Sequence, residues 1–128
     1  MEQQVTVANR YMRIALTEAL KSTCNKRHGA VLVNGGKIIA TGHNKQRNST
    51  YSVDFVKTPY GLSVHAEIDA LRKAKHTEGV DIYVARIDKA GHPKLSRPCQ
   101  RCAKALSDAG IKNIYYTTEF GVDKEKVM

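Results

Sequence analysis

Apolar residues recur at helical spacing over residues 5 to 21, where Ala8, Tyr11, Met12, Ala15, Ala19 and Leu20 share one side and Arg10, Arg13, Thr17 and Lys21 lie elsewhere. This pattern predicts an amphipathic helix. The runs Ala30-Val31-Leu32-Val33 and Lys37-Ile38-Ile39-Ala40-Thr41 flank Asn34-Gly35-Gly36. Two apolar runs around residues that tolerate positive φ predict a β-hairpin. Residues 45 to 62 are polar, with Asn48, Ser49, Pro59 and Gly61, and read as one long loop, a length usually functional or disordered. Helical spacing resumes at Val64, Ile68, Leu71 and Ala74, with Ser63 as a cap. Residues 81 to 85 predict a strand, and Ala90-Gly91-His92-Pro93 a turn. A third helix is expected from Pro98 to Gly110, because a proline loses nothing at a helix start and a glycine ends one readily. Ile111 to Thr118 is the last strand. The order α, β, β, α, β, α, β implies a mixed sheet covered by helices.

With 128 residues, 41% of them apolar, the chain is expected to form a single domain spanning residues 1–128, with one core. No apolar run approaches the roughly 20 residues of a spanning helix, so no membrane partner is expected. Met1-Glu2-Gln3-Gln4 does not read as a signal peptide. Three cysteines, two of them at Cys-x-x-Cys spacing, favour an intracellular protein whose thiols bind metal or do redox work. The net charge of +9 suits an anionic partner such as a nucleotide or a nucleic acid, and equally serves solubility.

Two short segments carry the candidate chemistry. His65-Ala66-Glu67 opens one expected helix, and Pro98-Cys99-Gln100-Arg101-Cys102 opens another. Cysteines three apart on a helix share a face, so both sulfurs can reach one ion. The positive ends of both helices favour thiolates there. Two thiolates and one imidazole leave Zn²⁺ a fourth position for water, the catalytic rather than the structural pattern. Glu67 would then move the protons. Taken alone, Cys-x-x-Cys also fits a redox motif or a zinc ribbon. A rival site would be a closed structural zinc knot in which Cys24 or His28 joins Cys99 and Cys102. That rival accounts for neither the His-x-Glu nor the proline before Cys99.

His65-Ala66-Glu67 followed by Pro98-Cys99-Gln100-Arg101-Cys102 resembles the signature of the cytidine deaminase superfamily. The resemblance runs from Gly29 to Thr118 and includes Gly42-His43-Asn44 ending a second strand. A histidine at the first ligand position is similar to the deoxycytidylate, tRNA adenosine and cytosine deaminase branch. The resemblance implies a three-layer α/β/α fold, with a mixed sheet of four to five strands and helices on both faces. It implies Zn²⁺ as cofactor, held by His65, Cys99 and Cys102, with Glu67 as the catalytic group. It places Asn44 against the nucleoside sugar. It puts the helix starts at Ala66 and at Pro98-Cys99 against the base or the developing oxyanion. It further implies self-association, as in relatives that are dimers to hexamers, and a cytoplasmic nucleotide enzyme.

Two departures from the pattern alter the expectation. Tyr83 and Pro98 are fifteen residues apart, so Arg86 to Arg97 is expected to form an extra hairpin or lip beside the site. Only ten residues follow Thr118, which suggests a trimmed, four-stranded sheet. Elements that complete the pocket would then come from a partner chain or from the 45–62 loop. The functional expectation is hydrolytic deamination of cytosine in a free nucleotide, with Arg97, Arg101, Lys45 and Arg47 as candidate phosphate groups. The alternatives are a deaminase acting on single-stranded DNA or RNA, and a non-catalytic zinc-stabilised binding module.

Overall fold

The computed structural model describes residues 9–47, 55–58 and 61–127. Helix α1 (Arg10–Ala19) starts where Asn9 Oδ1 accepts the Tyr11 and Met12 N–H groups, two donors that a helix start leaves unpaired. The expected helix is therefore shortened. Its proposed first residues, 5 to 8, lie outside the described residues, and Leu20, counted on the apolar stripe, is exposed just past its end.

Strands β1 (Arg27–Asn34) and β2 (Lys37–His43) form the expected hairpin. Gly35 and Gly36 turn the chain at φ 58° and 82°, the sign that a two-residue hairpin loop requires. The stretch read as one loop holds three short strands, β3 (Lys45–Arg47), β4 (Phe55–Thr58) and β5 (Gly61–Val64). They pair antiparallel in the order β3-β5-β4 as a separate small sheet. Backbone pairing made this sheet, and the mostly polar sequence gave it no apolar alternation to reveal it. The rest of the expected loop, 48–54 and 59–60, falls outside the described residues.

Helix α2 (Ala66–Lys73) starts later than expected, since Ser63 and Val64 belong to β5. Strand β6 (Asp81–Ile87) folds back onto the two-residue β7 (Pro93–Lys94), the hairpin expected in the segment before Pro98. Asp88 Oδ1 accepts the Ala90 and His92 N–H groups and so shapes its turn. Helix α3 (Gln100–Asp108) stops before Gly110, whose φ of 81° breaks the helical path. Strand β8 (Asn113–Thr117) runs parallel to β6.

The last residues correct the trimmed four-stranded expectation. Strand β9 (Val122–Lys126) pairs antiparallel with β8 and extends the main sheet to β2-β1-β6-β8-β9, with β7 beside β6. As a mostly exposed edge strand, Val-Asp-Lys-Glu-Lys needs no alternating apolar face.

Alternation along β1 divides the core. Ala30 and Leu32 pack with Ala66, Ala70 and Leu106 from α2 and α3, whereas Val31 and Val33 pack with Met12 and Ala15 from α1. Helices therefore lie on both faces of a mixed sheet. Each buried branched side chain contributes roughly 1.5–3 kcal/mol of burial. Two glycines set how close the layers come. A Cβ on Gly29 would stand 2.0 Å from Ala15 O, and one on Gly42 would stand 2.5 Å from Ala70 N. Only a residue without a side chain lets α1 rest on β1, and α2 on β2, at these distances.

Candidate active site

His65 is the N-cap of α2 and Cys99 the N-cap of α3, and neither uses its side chain to cap its helix. Their side chains instead face one another. His65 Nδ1 lies 3.1 Å from Cys102 Sγ and 3.7 Å from Cys99 Sγ. The three donor atoms all lie within 4.8 Å of one another, a spacing that suits one ion. Cys102 is fully buried with Val64 and Ile68, His65 is half-buried, and Cys99 is exposed. Among the described residues, neither Cys24 nor His28 joins this cluster.

The electrostatics fit a cation. Burial, with the Arg101 charge as a second cause, holds His65 below the ordinary histidine range, which keeps the imidazole neutral and able to ligate. Burial pushes the Cys102 thiol up, and the Glu67 carboxylate and the Cys99 thiol press the same way. A buried sulfur among such neighbours becomes a thiolate when a positive ion is bound beside it. The donor set of one imidazole and two thiols therefore fits zinc, with three protein ligands and a remaining position.

Glu67, 4% exposed, stands in the first turn of α2, and its carboxyl meets Cys102. Burial raises it to about 7. A carboxyl so placed accepts and returns a proton more readily than a surface one does. Ala66 opens α2, fully buried, and the half-buried Pro98 stands immediately before Cys99.

Asn44 is buried at the corner between β2 and β3, and the backbone where the chain enters β1 takes both ends of its side chain. Its Oδ1 accepts the His28 N–H at 2.8 Å, and its Nδ2 donates to Lys26 O at 2.6 Å. Of the basic residues expected to hold phosphate, Arg97 pairs with Glu125 at 2.9 Å and Lys45 with Asp69 at 3.1 Å. Arg101 is exposed on the first turn of α3, and its charge is felt at His65. The side chain of Arg47 lies outside the described residues.

Sequence reasoning passed over two groups of polar residues around the site. Asp69, buried on α2, accepts the His43 N–H and bonds Lys45 and Lys73, and together these outweigh the burial that would raise its pKa. Ser96 and Thr117 are buried together where the β7–α3 link crosses the end of the sheet. Neither group has a periodic or motif signal; Asp69 is marked only by lying between the buried Ile68 and Ala70, whereas Ser96 lies between the exposed Leu95 and Arg97 and carries no such mark.

Comparison with known proteins agrees with this geometry. The family model of the cytidine and deoxycytidylate deaminase zinc-binding region matches residues 5–118. The chain is 28% identical over 122 residues to the human deoxycytidylate deaminase, covering 85% of this chain and 63% of that protein. It is 31% identical over 115 residues to the tRNA-specific adenosine deaminase of Agrobacterium fabrum, covering 83% of this chain and 62% of that protein. It thus spans about three fifths of the length of these curated relatives. Among solved structures, the apo dCMP deaminase of the cyanophage S-TIM5 matches with a TM-score of 0.62 at 29% identity, over 83% of this chain and 78% of that one. The S-TIM5 dCMP deaminase has also been solved in complex with dCMP and dUMP. Among the described residues, no helix is long and apolar enough to cross a membrane.

Proposed function

Because this chain belongs to the cytidine and deoxycytidylate deaminase family, we propose that it hydrolyses the exocyclic amine of cytosine in a free (deoxy)cytidine nucleotide, releasing ammonia and the uracil product. The observation that carries this reading is the convergence of His65, Cys99 and Cys102 within 4.8 Å, with the buried carboxyl of Glu67 alongside. His65 Nδ1 and the sulfurs of Cys99 and Cys102 are the proposed zinc ligands. A zinc ion held there supplies Lewis acidity, which brings the pKa of water down to about 7.

The chain's own residues perform the rest. Glu67 accepts one proton from the attacking water and delivers it to the ring nitrogen. It then takes the remaining proton of the newly added hydroxyl and delivers it to the amine, which departs as ammonia while the carbonyl of the uracil product forms. Because Glu67 is buried, the proton is carried within the site and is not exchanged with bulk water at each step. The backbone N–H groups of Ala66 and Cys99, at two helix starts, orient the base or steady charge that develops on it. Pro98 stands beside Cys99 on the substrate side. Asn44 shapes the sugar end of the pocket from its corner, retaining one N–H and one lone pair for a hydroxyl. Arg101 is the candidate phosphate anchor, since Arg97 and Lys45 already have carboxylate partners. The support for a free nucleotide is the S-TIM5 protein, solved with dCMP and dUMP.

A second reading, deamination within a single strand, is favoured by the net charge of +9. One assay separates the two: ammonia release from deoxycytidylate and from a short cytosine-containing oligonucleotide, measured across about 50 to 200 mM salt. The expected result is preference for the mononucleotide with a shallow salt dependence of kcat/KM. A single strand engages several cations, which gives a log–log salt slope near −0.7 for each phosphate neutralised. Preference for the oligonucleotide, collapsing as salt rises, overturns the nucleotide reading. Absence of ammonia from every cytosine substrate overturns cytosine deamination itself.

A further inference from the structure

The parallel ladder between β6 and β8 ends at Val84 and Tyr116, after which β6 pairs with β7. Ser96, 3% exposed, enters the gap from the link between β7 and Pro98. Its hydroxyl donates to Val84 O at 2.7 Å, and the same oxygen accepts the Thr117 N–H at 2.8 Å. The Ser96 N–H donates to Thr117 O at 2.9 Å. The fully buried Thr117 hydroxyl donates to Lys94 O at 2.6 Å and accepts the Arg86 N–H at 3.1 Å. Each hydroxyl has one proton, and both protons go to carbonyls. The two oxygens, 2.9 Å apart, thus occupy the place of the next ladder rung and satisfy backbone groups that burial would otherwise leave unpaired.

This clasp closes three residues before Cys99, and the two sulfurs of the donor cluster are held in different ways. Cys102 is packed inside α3 against Val64 and Ile68. Cys99 is exposed at the start of α3, two residues after Arg97, whose ion pair with Glu125 lies on the surface, where such pairs contribute little. The segment is anchored in the protein interior through Ser96. We propose that the Ser96–Thr117 hydroxyl pair positions Cys99, fixing where the β7–α3 link leaves the sheet and therefore where Cys99 Sγ stands relative to His65 and Cys102. Both are positioning residues, since neither supplies a donor atom to the cluster. The inference rests on the metal-site reading above.

Thr117→Val keeps the side-chain shape and removes the hydroxyl, whereas Thr117→Ser keeps the hydroxyl and removes a methyl group. Both leave a defect in a buried place, and both lower Tm. The metal-free proteins are titrated with cobalt(II) against a competing chelator, with thiolate-to-cobalt absorption reporting sulfur ligation. Thr117→Val is expected to lose roughly ten-fold or more in cobalt affinity, the scale for groups that support metal ligands, together with thiolate absorption. Thr117→Ser stays within about three-fold of the original chain, even where it melts lower. Ser96→Ala gives the same loss by a second route and replaces Thr117→Val where that variant does not fold. Unchanged affinity and absorption in the hydroxyl-deleted variant overturn the proposal. So does an equal loss in Thr117→Ser, which assigns the effect to packing. A starting protein that shows no thiolate–cobalt absorption at all overturns the metal-site reading instead, a result distinct from failure of the clasp alone.

Discussion

His65 Nδ1 and Cys102 Sγ stand 3.1 Å apart although 37 residues separate them in the chain. That proximity arises from two helices, α2 and α3, that pack on the same face of the sheet and whose first residues face one another. The positive ends of both helices therefore meet where thiolates have to form.

The first prediction concerns the ion. The purified protein should hold about one zinc per chain, the content of a single site with three protein ligands. Cys99→Ser and Cys102→Ser should each lose most of it, while Cys24→Ser should keep it, because Cys24 lies outside the donor cluster. Elemental analysis after dialysis against a weak chelator checks this. Zinc loss in Cys24→Ser favours the closed structural knot.

A second prediction separates catalyst from scaffold. Glu67→Gln nearly preserves the volume of a buried side chain but cannot accept a proton. Zinc content and folding should survive, while kcat falls by about 10²- to 10⁴-fold. Turnover close to that of the original protein removes Glu67 from the mechanism. Loss of zinc makes it a support for the ligands.

Asn44 gives the third. Both ends of its carboxamide bond the backbone at Lys26 and His28, so Asn44→Ala deprives a partly buried N–H and a partly buried carbonyl of their side-chain partner. Unfolding experiments should show a stability loss of about 1–3 kcal/mol. Activity at low temperature, where the variant is folded, should fall less steeply than stability. An unchanged Tm with a large rise in KM assigns Asn44 to the sugar alone.

The fourth concerns pH. Glu18, buried on α1, accepts from His43 Nδ1 at 3.1 Å and pairs with Lys21 at 3.0 Å. Burial alone would raise its pKa, but these partners outweigh burial and hold it below the ordinary glutamate value. A group depressed in the folded state adds stability above its unfolded pKa of about 4.3, and that stability is lost as pH falls through the folded value. The Tm difference between the original chain and Glu18→Gln should therefore be full at pH 6 and shrink below about pH 4. A difference that does not vary with pH would mean that the carboxylate charge contributes nothing.

The three helices, the β1–β2 hairpin, the central strands and the residues of the donor cluster are legible in the order of amino acids alone. Each of these is written in local terms: an apolar period, two glycines at a tight turn, or chemically distinctive side chains at fixed spacing. The sheet beyond those elements was decided by tertiary structure. Strands β3, β4 and β5 exist through backbone pairing with one another, and β9 exists because β8 offers it an edge. Side chains alone did not announce either. The same holds within the site. His65, Cys99 and Cys102 are legible as ligand types, but their convergence depends on Gly42 letting α2 rest on β2 and on Ser96 filling the end of a ladder. Close approach and hydrogen-bond completion are properties of surfaces brought together from distant parts of the chain, so they become readable only when the chain is folded.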